Sequence, residues 1–407
     1  MDLSRKLSAE GHELVETGAD VAIINTCSVT KTAIRKDRRM VNKAKAENPK
    51  AKIVVMGCWP AVYGKDIVSA DTVWGAGKLD ELVKQISNFQ FPIKVPSPNN
   101  IPNSQLQKSR YFLKVQDGCE QYCTYCVIPY ARGKLKSRPA NEILDEARKA
   151  VKQGYREIVL CGIHLGLYGA EARSRKLEAR KSISMQKCDL TSLLKSLIII
   201  NGLGRIRLSS IEVNEVTDDL VELLAESVKL CRHLHIPLQS GSDKILKLMN
   251  RPYNSEQFME KAGQIRKNIP DIALTTDVIV GFPGETESDF KDTYNLIKSV
   301  GFSRLHVFPF SPHEKVPAYK LPKRIEAETI KKRTRKLKNL GSELENGYRK
   351  KFKGRELEAI IEHNNDSKFI AKTEYYFDVE PNKESLAKQA NGGKKIRAGS
   401  LIKIKIQ

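Results

Sequence analysis

Residues 111–126 read Tyr111-Phe-Leu-Lys-Val-Gln-Asp-Gly-Cys119-Glu-Gln-Tyr-Cys123-Thr-Tyr-Cys126, and this stretch decides the fold. The apolar alternation over Tyr111–Gln116 predicts a strand. Gly118 breaks it, and three cysteines follow at C-x3-C-x2-C spacing. Three thiolates on one short loop can hold three irons of a [4Fe–4S] cluster and leave the fourth iron open. S-adenosylmethionine (SAM) can chelate such an iron through its amino and carboxylate groups, and an electron from the cluster then gives a 5′-deoxyadenosyl radical. Zinc is the alternative, but it prefers four protein ligands, and no further Cys or His lies close in sequence.

Outward from this loop, strand patterns recur at Glu157–Cys161, Arg205–Ser209, Leu234–Pro237, Ala273–Val280 and Arg304–Phe308. Amphipathic helical patterns such as 141–153, 217–229 and 284–299 separate them. Six strand–helix units predict a parallel sheet curled into a partial or complete α/β barrel, with chemistry at the C-terminal strand ends. Those ends read DGCEQYC, CGIHLG, SSIE, PLQSGSD, GFPGE and PFSPH. Ser210, Glu212 and Gln239 stand there as candidates for contact with SAM or substrate. His164 and His235 fit structural roles better than catalytic ones, and no residue is singled out as a catalytic acid or base.

Residues 1–91 alternate helix and strand: a helix over 2–15, a strand at Val21–Asn25, a basic helix over 31–47 and a strand at Lys52–Met56. This is a second α/β domain. Residues 92–108 are rich in Pro, Asn and Ser and read as a linker. The barrel domain spans 109–322, interrupted by a charged insertion at 170–187. A basic helical connector covers 323–354. Residues 355–407 carry short β runs at Leu357–Glu362, Lys368–Thr373 and Ser400–Ile406, a small β module.

The net charge of +22 favours polyanionic partners, nucleic acid first. Much of it sits in residues 323–355, where 13 Lys or Arg face 4 Glu. Arg132, Lys134, Lys136 and Arg138 follow the cysteine loop as candidates for phosphate or substrate, or for a solvated basic face. No apolar run approaches membrane-span length, and the N-terminal residues lack a signal-peptide pattern. The expected compartment is the cytoplasm. Of eight cysteines, five are read as ligands; Cys161, Cys188 and Cys231 read as ordinary reduced thiols.

The run CEQYCTYCVIPYARGKLKSRP resembles the methylthiotransferase family of radical SAM enzymes. So do CGIHLGLYG, RIRLSSIE, HLHIPLQSGSDKILKLMNRPY, TTDVIVGFPGETESDF and LHVFPFSP. INTCSVT and VVMGC resemble the N-terminal domain of that family, and the last β module resembles its RNA-binding TRAM domain. The resemblance implies two [4Fe–4S] clusters, one held by Cys119, Cys123 and Cys126, the other involving Cys27 and Cys58. It implies that Tyr125 packs over the SAM adenine, that Gly162 brings backbone to the SAM amino group, and that Gly281 lies near the adenine. One SAM would methylate a sulfur and another would supply the radical that abstracts hydrogen. VIPYARG points to the tRNA branches rather than the ribosomal-protein branch. GIHLGLYG, RLSSIE and LHVFPFS point to modification of N6-threonylcarbamoyladenosine in the anticodon loop, with N6-isopentenyladenosine as the alternative. A flavodoxin or ferredoxin is the implied electron donor.

The family's third N-terminal cysteine normally follows a first strand ahead of the first helix. This sequence opens inside that helix, so the reading expects an upstream start. The alternative is a short form with one cluster, or an RNA-binding form without sulfur insertion.

Overall fold

The computed structural model describes residues 2–15, 18–64, 70–77, 79–89, 109–170, 189–365, 368–381, 386 and 396–407. The stretches read as a linker (92–108) and as most of a charged insertion (171–187), with Cys188, lie outside the described residues. Two compact units emerge: Met1–Leu106 with Gly118–Lys134 and Ser311–Lys320, and Gln107–Asp117 with Leu135–Phe310 and Leu321–Gln407. The cysteine loop therefore counts with the N-terminal strands.

In the first unit β1 (Val21–Thr26), β2 (Lys52–Gly57) and β3 (Thr72–Trp74) form a parallel sheet in that order. The apolar run at β2 buries Ile53, Val54 and Val55 almost completely, because helices cover both faces of the sheet. The basic helix forms as expected, at Lys31–Glu47, capped by the Thr30 side chain, which accepts from Ala33 N–H at 3.1 Å. The first helix is shorter than expected: it runs Asp2–Ala9, not to residue 15. Gly11, at φ 85°, turns the chain out of the helix, and His12 N–H closes the end on Leu7 O.

In the second unit β4 (Tyr111–Lys114), β7 (Glu157–Cys161) and β8 (Arg205–Leu208) pair in parallel, as do β9 (His233–His235), β10 (Ala273–Val280) and β11 (Arg304–Pro309). Parallel bridges Ile206↔Leu230 and Ser210↔His235 join the two sheets. The result is the expected six-stranded partial barrel. Short β5 (Gln116–Asp117) and β6 (Lys136–Ser137) pair antiparallel beside the cysteine loop's two ends. One face of the strands (Ile158, Leu160, Ile206, Leu208, Leu274, Val278) packs on the surrounding helices.

The opposite face is polar at the N-terminal end of the barrel. Glu157, fully buried, receives Arg205 Nε at 2.5 Å and Arg207 Nε at 3.0 Å. Burial would raise the Glu157 carboxyl, but the charges of Arg207, Arg205 and Arg110 outweigh it and hold it at about 2. The remaining guanidinium donors reach the C-terminal β module: Arg205 Nη2 to Lys372 O at 2.7 Å and Arg207 Nη2 to Thr373 O at 2.9 Å.

That module is an antiparallel sheet of β12 (Glu356–Asn365), β13 (Lys368–Thr373), β14 (Asp378–Val379) and β15 (Leu401–Lys405), in the order β14-β13-β12-β15. The long basic helix, Ala327–Lys350, leads into it, and Tyr348 packs there with Phe352 and Phe377. Among the described residues no helix is long and apolar enough to cross a membrane.

Candidate iron–sulfur site

The loop that carries Cys119, Cys123 and Cys126 is shaped by its own backbone. Gly118 sits at φ 74°, and a Cβ there would lie 1.9 Å from Lys134 O. Only glycine permits that approach. Cys119 N–H then donates to Gly133 O at 3.1 Å, and Cys126 N–H to Cys123 O at 2.9 Å. Thr124 O accepts from Ala318 N–H at 2.8 Å, which ties the loop to residues 311–320 of the same unit. A short helix, Ile128–Arg132, follows with Pro in its first turn and Gly133 at its end.

Cys123 is buried and Cys119 and Cys126 are half-buried. Gln121 N–H points at Cys119 Sγ, 3.5 Å away, the kind of donor that steadies an iron-bound sulfur. No three His, Cys, Asp or Glu among the described residues converge as ligands of one ion. A cubane asks for something else: each thiolate binds its own iron, so the sulfurs stand apart around the cluster. The three thiols on this loop, with a backbone donor already aimed at one sulfur, fit a [4Fe–4S] cluster with one open iron.

The other two cysteines follow adjacent strands. Thr26 and Gly57 are register partners at the ends of β1 and β2, so Cys27 and Cys58 leave the same edge. Gly57, at φ 110°, allows this, since a Cβ would meet Thr26 O at 2.5 Å. Two contacts around the pair were not legible in the sequence. Cys27 N–H donates to Asp37 Oδ2 at 2.9 Å, and Arg132 Nε donates to Cys58 Sγ at 3.2 Å. Burial pushes the Cys27 thiol up; Val29 N–H and the Arg132 charge oppose this, while Cys58 and Asp37 add to it. Asp37 had one sequence signal, as the lone acid within the basic run 31–46.

Other candidates stand at the C-terminal strand ends of the second unit. Gly162 follows β7, and a Cβ there would lie a tight 3.0 Å from both Gln116 Oε1 and Leu165 Cα. Ser210 bridges to His235, and Gln239, at φ 63°, bridges to Val278. Gly281, at φ 77°, donates its N–H to Glu285 Oε2 at 2.9 Å and backs onto Ile330. Glu212 pairs with Arg251, and its carboxyl is pushed up by burial. His164 lies 2.5 Å from Glu215 in a buried pair, and His235 Nδ1 lies 2.9 Å from Thr275 Oγ1. Tyr125 is half-buried on the cysteine loop.

The four basic candidates separate. Lys134 and Lys136 are exposed. Arg138 is tied to Lys114 O at 2.7 Å and Glu146 at 2.8 Å, and Arg132 turns to Cys58. Cys161 and Cys231, read as ordinary thiols, are each pushed up to about 11, first by burial, which keeps them protonated.

The family described as the radical SAM superfamily matches residues 113–297, and uncharacterized protein family UPF0004 matches residues 1–75. A Bacillus subtilis protein named threonylcarbamoyladenosine tRNA methylthiotransferase MtaB is 36% identical over 384 residues, covering 89% of this chain and 82% of that protein. The chain belongs to the radical SAM methylthiotransferase family. Another relative is a tRNA-2-methylthio-N(6)-dimethylallyladenosine synthase of Carboxydothermus hydrogenoformans, 35% identical over 350 residues (82% of this chain, 76% of that one). Among solved structures, the radical SAM methyltransferase TsrM from Kitasatospora setae, with cobalamin and [4Fe-4S] cluster bound, has a TM-score of 0.55. It is 14% identical and covers 78% of this chain and 67% of that one, a likeness of fold. As a radical SAM methylthiotransferase, the protein is a transferase that works with a [4Fe–4S] cluster and SAM.

Proposed function

We propose that this methylthiotransferase acts in the cytoplasm on tRNA, placing a methylthio group on C2 of N6-threonylcarbamoyladenosine next to the anticodon. The likeness to the Bacillus subtilis enzyme over 89% of the chain carries this reading. The runs GIHLGLYG, RLSSIE and LHVFPFS favour this branch. An anticodon loop offers unstacked bases that a protein can draw into a pocket.

When bound, the cluster and SAM supply the radical that takes hydrogen from an unactivated C–H bond. In this reading Cys119, Cys123 and Cys126 hold the cluster, and Cys27 and Cys58 serve a second one. Tyr125, Gly162, Ser210, Gln239 and Gly281 receive SAM, with backbone at Gly162 reaching where a side chain would fit tightly. Lys134 and Lys136 meet phosphates, as do exposed lysines of the long helix. The C-terminal module acts as a TRAM-like RNA-binding domain. The electron comes from a flavodoxin or ferredoxin.

The dimethylallyladenosine relative, at 35% identity, keeps a second substrate in view. One experiment separates them. The anaerobically reconstituted protein is incubated with SAM, a reductant and unmethylthiolated tRNA carrying both modified adenosines. Nucleoside mass spectrometry should find 2-methylthio-N6-threonylcarbamoyladenosine. Product from the isopentenylated base alone would reassign the branch, and no methylthio product from either would overturn the reading.

A further inference from the structure

Two large aromatic side chains on the cysteine loop and the helix that follows it are about half exposed. Tyr122, between Cys119 and Cys123, is 51% exposed, and Tyr130, on the helix after Cys126, is 47% exposed. Their rings meet edge to face, centroids 6.2 Å apart and planes at 80°. Both belong to the compact unit that holds the loop. Tyr122 also has a positive φ of 49°, a left-handed conformation that a tyrosine adopts only against a steric cost. The chain thus accepts backbone strain at a residue that stays half exposed. Strained residues of this kind cluster where a surface has work to do.

Burial does not explain these rings, since most of the other tyrosines are packed in the interior or half-buried. The edge-to-face contact orients the two rings against each other, and each residue stays about half exposed. Lys134, exposed and at the end of the same segment 118–134, adds a cation to that segment. Fixed aromatic faces flanked by cations are what unpaired nucleobases stack on, because every base has a π face and brings a phosphate with it. A protein partner would ask for a broad apolar patch, and two half-exposed tyrosines do not make one.

We propose that Tyr122 and Tyr130 form a stacking corner for an unpaired nucleobase of the RNA substrate, one that neighbours the modified adenosine. This rests on the tRNA reading above. The corner holds the strand by stacking, which does not depend on base identity, while Lys134 meets the adjoining phosphate.

The test uses the full reconstituted chain and a fluorescently labelled anticodon stem-loop RNA carrying 2-aminopurine at single loop positions. The parent should bind it more tightly than a blunt duplex of equal length and should quench 2-aminopurine at one position. Tyr122→Leu and Tyr130→Leu, which keep apolar bulk but lose the π face, should each weaken binding by about 5- to 100-fold and restore the 2-aminopurine signal. Tyr122→Phe and Tyr130→Phe should bind within about twofold of the parent, since stacking survives. The salt dependence of binding should be unchanged in the leucine variants and shallower in Lys134→Gln.

If the parent prefers the stem-loop but the leucine variants bind and quench like it, the corner is wrong and the tRNA reading stands. If the parent binds duplex and stem-loop equally, both fall. If the leucine variants keep RNA binding but lose association with another protein or a second copy of this chain, the rings belong to a protein interface and the proposal is overturned.

Discussion

Arg132 Nε lies 3.2 Å from Cys58 Sγ and donates to it. The contact joins two loops far apart in sequence. Arg132 ends the short helix after Cys126, Cys58 opens the helix Cys58–Tyr63, and those helices pack together. A guanidinium on a sulfur ligand offsets thiolate charge, and a charged hydrogen bond is worth about 1.5–3 kcal/mol. In the two-cluster reading proposed above, Arg132→Gln should lower the iron bound at Cys27 and Cys58 while the 119–126 cluster stays loaded. Iron and sulfide counts per chain, with Mössbauer spectra, check this; counts equal to the parent's would refute it.

Gly118→Ala should disrupt the cysteine loop and spare the barrel. The new Cβ would stand 1.9 Å from Lys134 O, at φ 74°. The left-handed backbone alone costs about 1–2 kcal/mol for a residue with a Cβ, and the clash forces the loop apart. SAM cleavage, read as 5′-deoxyadenosine, should fall more than tenfold, with far-UV circular dichroism unchanged.

Glu157 makes stability depend on acid. Its carboxyl, held at about 2 against an ordinary 4.5, is lower in the folded state than in the unfolded chain. The stabilisation is complete above about pH 4.5 and is lost as pH falls toward about 2, on the order of 3 kcal/mol. Urea unfolding from pH 6 to 3 should show this slope. Glu157→Gln should flatten it and cost about 3–5 kcal/mol at neutral pH, because Arg205 and Arg207 stay buried without their counter-charge.

Tyr376 stacks on His233 with centroids 4.1 Å apart, planes within 14°, and stands at φ 69°. Removing the ring forfeits about 0.5–1.5 kcal/mol beyond its buried area. Tyr376→Gly should nonetheless be more stable than Tyr376→Ala, by about 1 kcal/mol, since only glycine relaxes at that backbone angle. Equal urea midpoints for the two variants would refute a strained Tyr376.

Much of this was legible in the residues. The six barrel strands and the basic helix follow from local periodicity, and the cysteine loop from spacing alone. The shortfall at the first helix came from one glycine, Gly11, whose turn outweighed the helical pattern of the residues beyond it. That Gly162, Ser210, Gln239 and Gly281 stand at or just past strand ends followed from where the strand patterns stop. The partners of Arg132 and Arg138 were not, because a basic run reads the same whether it faces solvent, a sulfur or Glu146.

The sequence alone determined the Cys119–Cys126 loop, its place after a parallel strand, and the order of α/β domain, barrel and β module. These are local facts, written in spacing and periodicity. Only the tertiary structure decided that Arg132 turns to Cys58, that Tyr122 and Tyr130 face outward together, and that Arg205 and Arg207 pass through a buried Glu157 to the backbone of the last module. Each depends on side chains brought together from distant segments, where burial and close approach, not residue type, set what a charge or a ring can do.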